Sequence, residues 1–249
     1  MSASKRTVLI TGSTRSIGLA LAQYYTKQGW NVIGTTRTNS NTDEVYSEGP
    51  LLMALSPFKT VQLEASDEAS VLEAARQLEG VPIDLLINNA GIYIADDLES
   101  AKKDAFMRQF EVNAVGPFLV TRALLPNLQL AAKSHGSATV AQVSSFLGSL
   151  GCNTSATEQF FGHAYAYATS KAALNMVTRS LAVGLRDSNI VFVTLNPGYV
   201  DTDMNDHQGY LKPSDSAESM ANIVAHLSMK DTGKFYNADK QFGDFELPC

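Results

Sequence analysis

Among its 249 residues the chain has only two cysteines, Cys152 and Cys249, too far apart to form a disulfide framework. Its four histidines, His135, His163, His207 and His226, show no metal-ligand spacing, so no metal site is expected. Basic runs are missing as well. Acids and bases are mixed and the net charge is −6, which argues against nucleic-acid binding. No apolar stretch reaches the ~18 residues of a membrane span. The opening Met1-Ser-Ala-Ser-Lys-Arg leads directly into a strand pattern, not a signal peptide. The Leu247-Pro248-Cys249 tripeptide is not a peroxisomal address. The expectation is a reduced, cytoplasmic protein with neither a membrane nor a nucleic-acid partner.

What is present is apolar sequence, 45% of the chain, arranged as short runs alternating with longer helical patterns. Strands are predicted at 7–10, 31–35, 60–63, 84–88, 138–143, 190–195 and 234–236. Helices are predicted at 18–27, from Asp67 as cap to Leu78, at about 102–125, 164–186 and 214–227. Ile17, Leu21 and Tyr25 share one face of the first helix, and residues 38–50 read as polar and irregular. Near-continuous apolar strands separated by helices predict one α/β domain over 1–249, a doubly wound parallel sheet with helices on both faces.

Six segments carry chemistry, five of them at the carboxyl ends of those strands. Tyr167 and Lys171 stand four residues apart, so a helix places them on one face. A phenol of pKa about 10 is a poor acid or base near neutrality. A neighbouring cation lowers that value and makes proton transfer near pH 7 accessible. Thr11-Gly12-Ser-Thr-Arg15-Ser16-Ile17-Gly18 joins strand one to helix one, where glycine lets backbone approach a phosphate and the helix N-terminus favours its charge. It is not Gly-x-Gly-x-x-Gly: its glycines are six apart. The second strand ends Gly34-Thr35-Thr36-Arg37 with no acid before Asp43, so no carboxylate stands ready for a ribose 2′-hydroxyl. The guanidinium of Arg37, with Arg15, suits a 2′-phosphate instead, and NADP(H) is the expected cofactor. Asn88-Asn89-Ala90-Gly91 follows strand four, Ser144-Ser145 follows strand five, and Asn196-Pro197-Gly198-Tyr199-Val200-Asp201-Thr202 follows strand six. Each alone also fits a plain polar loop. Together they line one crevice.

In order and spacing these segments resemble the short-chain dehydrogenase/reductase family, from Thr7 to about Thr202. The stretch from Tyr165 to Met176 is similar to a carbonyl-reductase subgroup that includes sniffer and C-factor proteins. The resemblance implies a Rossmann-like fold and assigns roles. Tyr167 would be the general acid in reduction. Lys171 would tune its pKa and hold the nicotinamide ribose, and Ser145 would position the substrate carbonyl. Asn113 would anchor a proton-relay water. Cofactor contacts would come from Gly12, Arg15, Ser16, Ile17, Gly18, Thr36, Arg37, Glu64, Ala65, Asn89, Ala90, Gly91, Tyr167, Lys171, Pro197, Gly198, Val200 and Thr202. The chain departs from the family at Ser16, where a glycine is usual and a tighter loop is expected. It departs again at Glu64, usually aspartate, and in a Ser145–Tyr167 separation lengthened by extra residues in 149–163. Tyr165 lacks the lysine spacing and reads as packing or pocket wall.

The expected function is oxidoreduction of a small carbonyl or alcohol substrate: NADPH-dependent reduction of a ketone or aldehyde, or its reverse. Two alternatives stay open: a non-catalytic NADP-binding regulator, and an epimerase or dehydratase on the same scaffold. The two long helices could pair copies into a homodimer or homotetramer, as the resemblance implies. The short 202–214 segment suggests an open site.

Overall fold

A computed structural model describes residues 5–37 and 50–249 of the chain. Asp43 and the stretch at 38–49 lie outside the described residues. Seven parallel strands form one sheet in the order β3-β2-β1-β4-β5-β6-β7: β1 Thr7–Ile10, β2 Asn31–Thr36, β3 Lys59–Gln62, β4 Leu85–Asn88, β5 Ala138–Val143, β6 Ile190–Asn196 and β7 Phe235–Asn237. The order reverses between β1 and β4, the switch point where open α/β sheets bind ligands. All four residues of β1 are buried, which is why Val8, Leu9 and Ile10 run on as apolar residues without alternation. Val8 and Ile10 pack into the core layer of α1 (Ser16–Lys27) and α9 (Pro213–Ala225). Leu9 faces the opposite layer with Ile33, Val120, Leu128 and Phe192.

A local signal starts one helix. Asp67 caps α3 (Glu68–Gln77), its carboxylate accepting from the N–H groups of Ala69 at 2.9 Å and Ser70 at 3.4 Å. In α1, Leu21 and Tyr25 are buried and Ile17 packs partly against the same cluster. A short helix α2, Pro50–Ala54, precedes β3.

The helix expected at 102–125 is corrected. It is α4 (Lys103–Phe110), a π-helical turn over Glu111–Val115, and α5 (Gly116–Ala123), followed at once by α6 (Leu125–His135). Prolines explain both breaks. Pro117 has no N–H for the carbonyl of Asn113 four residues earlier, and its ring crowds that oxygen, so the turn widens. Pro126 opens α6, a position that tolerates proline. After β5 come a 3₁₀ turn at Phe146–Gly148, a short helix α7 (Glu158–Phe161) inside the 149–163 insert, and the long α8 (Tyr165–Gly184). Beyond β7 the last residues fold back on the sheet end. Leu247 is buried and donates its N–H to the carbonyl of Phe235 at 2.8 Å.

Among the described residues no helix is long and apolar enough to cross a membrane. Nor, among them, do three or more His, Cys, Asp or Glu side chains gather as a metal site.

Candidate active site

The glycine-bearing loop between β1 and α1 is held by its neighbours. Gly12 takes a left-handed φ of 64° and donates its N–H to Thr35 Oγ1 at 3.0 Å. The Asn89 amide donates to the carbonyls of Thr11 and Gly12, and Thr11 Oγ1 accepts the N–H groups of Asn89 and Ala90. A Cβ on Gly18 would lie 2.0 Å from the Gly12 carbonyl oxygen, and one on Gly12 would lie 3.1 Å from the Ala90 Cα. Both positions must be glycine for these backbones to touch. Ser16 takes a left-handed backbone with φ of 47°, which costs a serine more than it would a glycine. The N-terminus of α1 has no side-chain cap and no acid in its first turn. Its first N–H groups therefore suit an anion, and the glycine cradle fits a nucleotide phosphate.

The residues expected around that phosphate are arranged unevenly. Arg37 is exposed one residue past β2, and Thr36 is half-buried at its end. Arg15 lies 3.8 Å from Asp203, both side chains more than half exposed. Such a pair is weak and can yield to a stronger anion. Glu64 turns its carboxylate onto Ser66, 3.0 Å from the hydroxyl, and Ala65 is buried with its carbonyl against Gly116. Asn89 is committed to clamping the loop. Ala90 and Gly91 follow it, and a Cβ on Gly91 would meet Asn113 Oδ1 at 3.2 Å and Lys171 Nζ at 3.5 Å. Gly198 has φ of 88° after Pro197, Val200 bridges to Leu211, and Thr202 opens a capped 3₁₀ turn at Asp203–Asn205.

The strands and α8 bring Ser145, Tyr167, Lys171 and Asn113 together. Lys171 is 4% exposed, donates to the Val143 carbonyl at 2.9 Å, and holds its ammonium 5.7 Å from the Tyr167 ring centroid. Asn113, wholly buried in the π turn, accepts the Ile92 N–H at 2.8 Å and donates to the Ile92 carbonyl and Ser170 Oγ. Ser170 in turn donates to the Tyr167 carbonyl at 2.7 Å. The two serines after β5 separate cleanly. Ser144 is buried and donates to Asn175 Oδ1 at 2.6 Å. Ser145 accepts the Leu147 N–H at 3.2 Å, and its hydroxyl lies near enough to the Tyr167 phenol to favour the ionised form.

Burial pushes the Tyr167 phenol up to about 12; the Ser145 contact pulls it down and Tyr93 adds to the rise. The same desolvation brings Lys171 down to about 8. A phenol lowered by its lysine neighbour was the expectation from spacing; here burial is the largest influence and raises it, and Tyr167 keeps its proton at neutral pH. That is the form a general acid needs.

Three contributors escaped the sequence reading. Asp96, 5% exposed, accepts the Ala166 N–H at 2.9 Å and so caps α8 in the first turn, one residue before Tyr167. Tyr93 packs edge-on against Tyr167, with centroids 5.2 Å apart, and donates to the His163 carbonyl. Asn175 ties Ser144 to the Gly148 carbonyl. An acid and a tyrosine soon after Asn88-Asn89-Ala90-Gly91 were the only signals available for the first two. A cleft of about 320 Å³ between α9, β7 and the tail, lined by Ile223, Leu227, Tyr236 and Phe245 among others, holds none of these groups.

Comparison with known proteins identifies the family. Residues 6–210 match the family model for short chain dehydrogenase. The C-signal protein of Myxococcus xanthus is 40% identical over 160 residues, 63% of this chain and 89% of that relative. Among solved structures, an NADPH-bound carbonyl reductase from chicken fatty liver superposes with a TM-score of 0.83 at 32% identity, covering 97% of this chain and 99% of that one. The carbonyl reductase Sniffer of Drosophila melanogaster superposes with the same score, 0.83, at 28% identity, over 99% of this chain and all of its own.

Proposed function

The chain belongs to the short-chain dehydrogenase family of oxidoreductases, and from that premise we propose that it reduces a ketone or aldehyde with NADPH. The observation that carries the reading is the protonated Tyr167 phenol, with Ser145 beside it and the ammonium of the buried Lys171 5.7 Å from its ring centroid. Cofactor choice rests on Arg37 and Arg15 at the end of β2 and in the loop, where an NAD-binding chain would place an acid. The NADPH held by the chicken reductase supports the same choice. When bound, the nicotinamide supplies a hydride to the carbonyl carbon.

The chain's own residues do the rest. Ser145 orients the carbonyl oxygen beside Tyr167 and stabilises the charge that gathers there. Tyr167 gives its proton to that oxygen. The forming alkoxide is a stronger base than a phenolate, so a phenol near 12 still donates downhill. Lys171, held by the Val143 carbonyl, faces the phenolate left behind. Asn113 and Ser170 connect the backbone at Tyr167 to the π turn and fix the helix face. Gly12 and Gly18 admit the pyrophosphate, and Gly91, Pro197, Gly198, Val200 and Thr202 wall the nicotinamide.

The test follows NADPH absorbance and alcohol formation over a panel of ketones and aldehydes. Equal molar loss of NADPH and gain of alcohol is expected. No consumption with any carbonyl would replace this reading with a nucleotide-binding regulator. A rearranged product without net cofactor turnover would replace it with an epimerase.

A further inference from the structure

Four phenylalanines from three separate segments meet beside Ser145. Phe146 follows Ser145 directly, Phe160 and Phe161 come from the insert, and Phe242 comes from the tail. Ring centroids lie 5.0 Å apart for Phe146–Phe242, 5.9 Å for Phe146–Phe161 and 5.6 Å for Phe160–Phe242. The pairs meet edge to face or tilted, the arrangement aromatic quadrupoles favour. Phe161 is buried, yet Phe160 and Phe242 stay 44% and 37% exposed.

A chain of buried amides holds this cluster in place. The Phe146 N–H donates to Asn196 Oδ1 at 2.9 Å. Asn196 Nδ2 donates to Asn237 Oδ1 at 2.8 Å, and Asn237 Nδ2 to the Phe242 carbonyl at 2.6 Å. Both asparagines are 4% exposed or less, at the carboxyl ends of β6 and β7. Ser149 donates to the Pro248 carbonyl, and Tyr93 to the His163 carbonyl, so tail and insert are tied down at both ends. Open aromatic surface is thus built rigidly one peptide from the hydroxyl that faces Tyr167. A solvated loop would need neither the amide chain nor the rings.

We propose that this platform is a substrate subsite for the flat aromatic part of an aryl ketone, and that Phe242 determines the preference for it. The inference rests on the carbonyl-reductase reading above. A planar ring laid on Phe146 and Phe242 covers apolar surface now in water and adds one more favourable ring pair. Its carbonyl then reaches Ser145 and Tyr167.

The experiment measures kcat/KM for acetylnaphthalene and for diacetyl in wild type, Phe242→Ala, Phe242→Leu and Phe242→Tyr. The ratio of aryl to aliphatic substrate is expected to fall about tenfold in the Ala and Leu variants, the size of one aromatic contact. Phe242→Tyr, which keeps the ring, is expected to restore it. A ratio unchanged within about twofold in a folded Leu variant overturns the proposal. If wild type consumes no NADPH with either ketone, the carbonyl-reductase reading fails instead. Saturation-transfer NMR of acetylnaphthalene then decides the platform alone: loss of the signal in Phe242→Leu supports it, and equal signals overturn it.

Discussion

The two ends of the sheet's ligand edge are built by different means. Beside β1 and β2, one continuous stretch of chain makes a cradle from backbone, and glycines set how near its parts may come. Beside β5, β6 and β7, the reacting groups and their walls arrive from β5, the π turn, α8, the insert and the tail, and side chains decide the fit. Approach of main chain governs the first region. Burial governs the second, where it raises a phenol and lowers an ammonium within one small volume. Substitutions should therefore separate cofactor holding from chemistry.

The sharpest break is expected from Tyr167→Phe. Losing a general acid should cut kcat by roughly 10²–10⁴-fold, while the NADPH dissociation constant, read by fluorescence titration, moves far less. Near-wild-type turnover would remove Tyr167 from the reaction and bring Tyr165 back into consideration.

Lys171 probes burial itself. Its pKa, brought down from 10.5 to about 8, means the folded chain sheds a proton between those values while the unfolded chain keeps it. Wild-type stability should therefore gain from this residue as pH rises from 8 to 10.5, and carry its full cost below 8. In Lys171→Met that gain is absent. The stability difference between variant and wild type should shift in favour of wild type across the window, by up to about 3 kcal/mol. Parallel stability curves from denaturant melts at several pH values would show that the ammonium is not desolvated.

On the cofactor side, Arg37→Asp combined with Arg15→Ala should turn preference from NADPH towards NADH. One charge-assisted hydrogen bond is worth roughly 1.5–3 kcal/mol, so about 10- to 100-fold in NADPH affinity is at stake. An unchanged ratio of kcat/KM for the two cofactors would make both arginines ordinary surface charge.

The smallest effect belongs to Ser16→Gly. It relieves a left-handed serine at a cost of about 1–2 kcal/mol, less the backbone entropy glycine adds to the unfolded state, roughly 0.5–1 kcal/mol. A rise in Tm of about 1–3 °C is expected by calorimetry. A fall would mean the Ser16 side chain stabilises the loop by a contact of its own.

Much of this site was legible before any coordinates. The Thr11–Gly18 loop, Asn88–Gly91 and the Tyr167–Lys171 spacing are short motifs whose chemistry lies within a few residues, so local pattern suffices. Asp67 as helix cap is equally local. The break at Pro117 was readable and was passed over, because apolar periodicity runs on through it. Asp96, Tyr93 and the Asn196–Asn237 pair were not readable, since their partners stand tens of residues away. Nor was the sign of the Tyr167 shift: spacing shows the nearby cation but not the desolvation that raises the phenol.

By itself the sequence determined the alternation of strand and helix, the glycines of the Thr11–Gly18 loop, and which side chains share the face of α8. Those follow from period, sterics and spacing along one segment. The tertiary structure alone decided that Ser144 turns onto Asn175, that an aspartate from the β4 loop starts the helix carrying Tyr167, and that the insert and tail close on each other. Each of these depends on which distant surfaces exclude water together, and burial is a property of the packed chain.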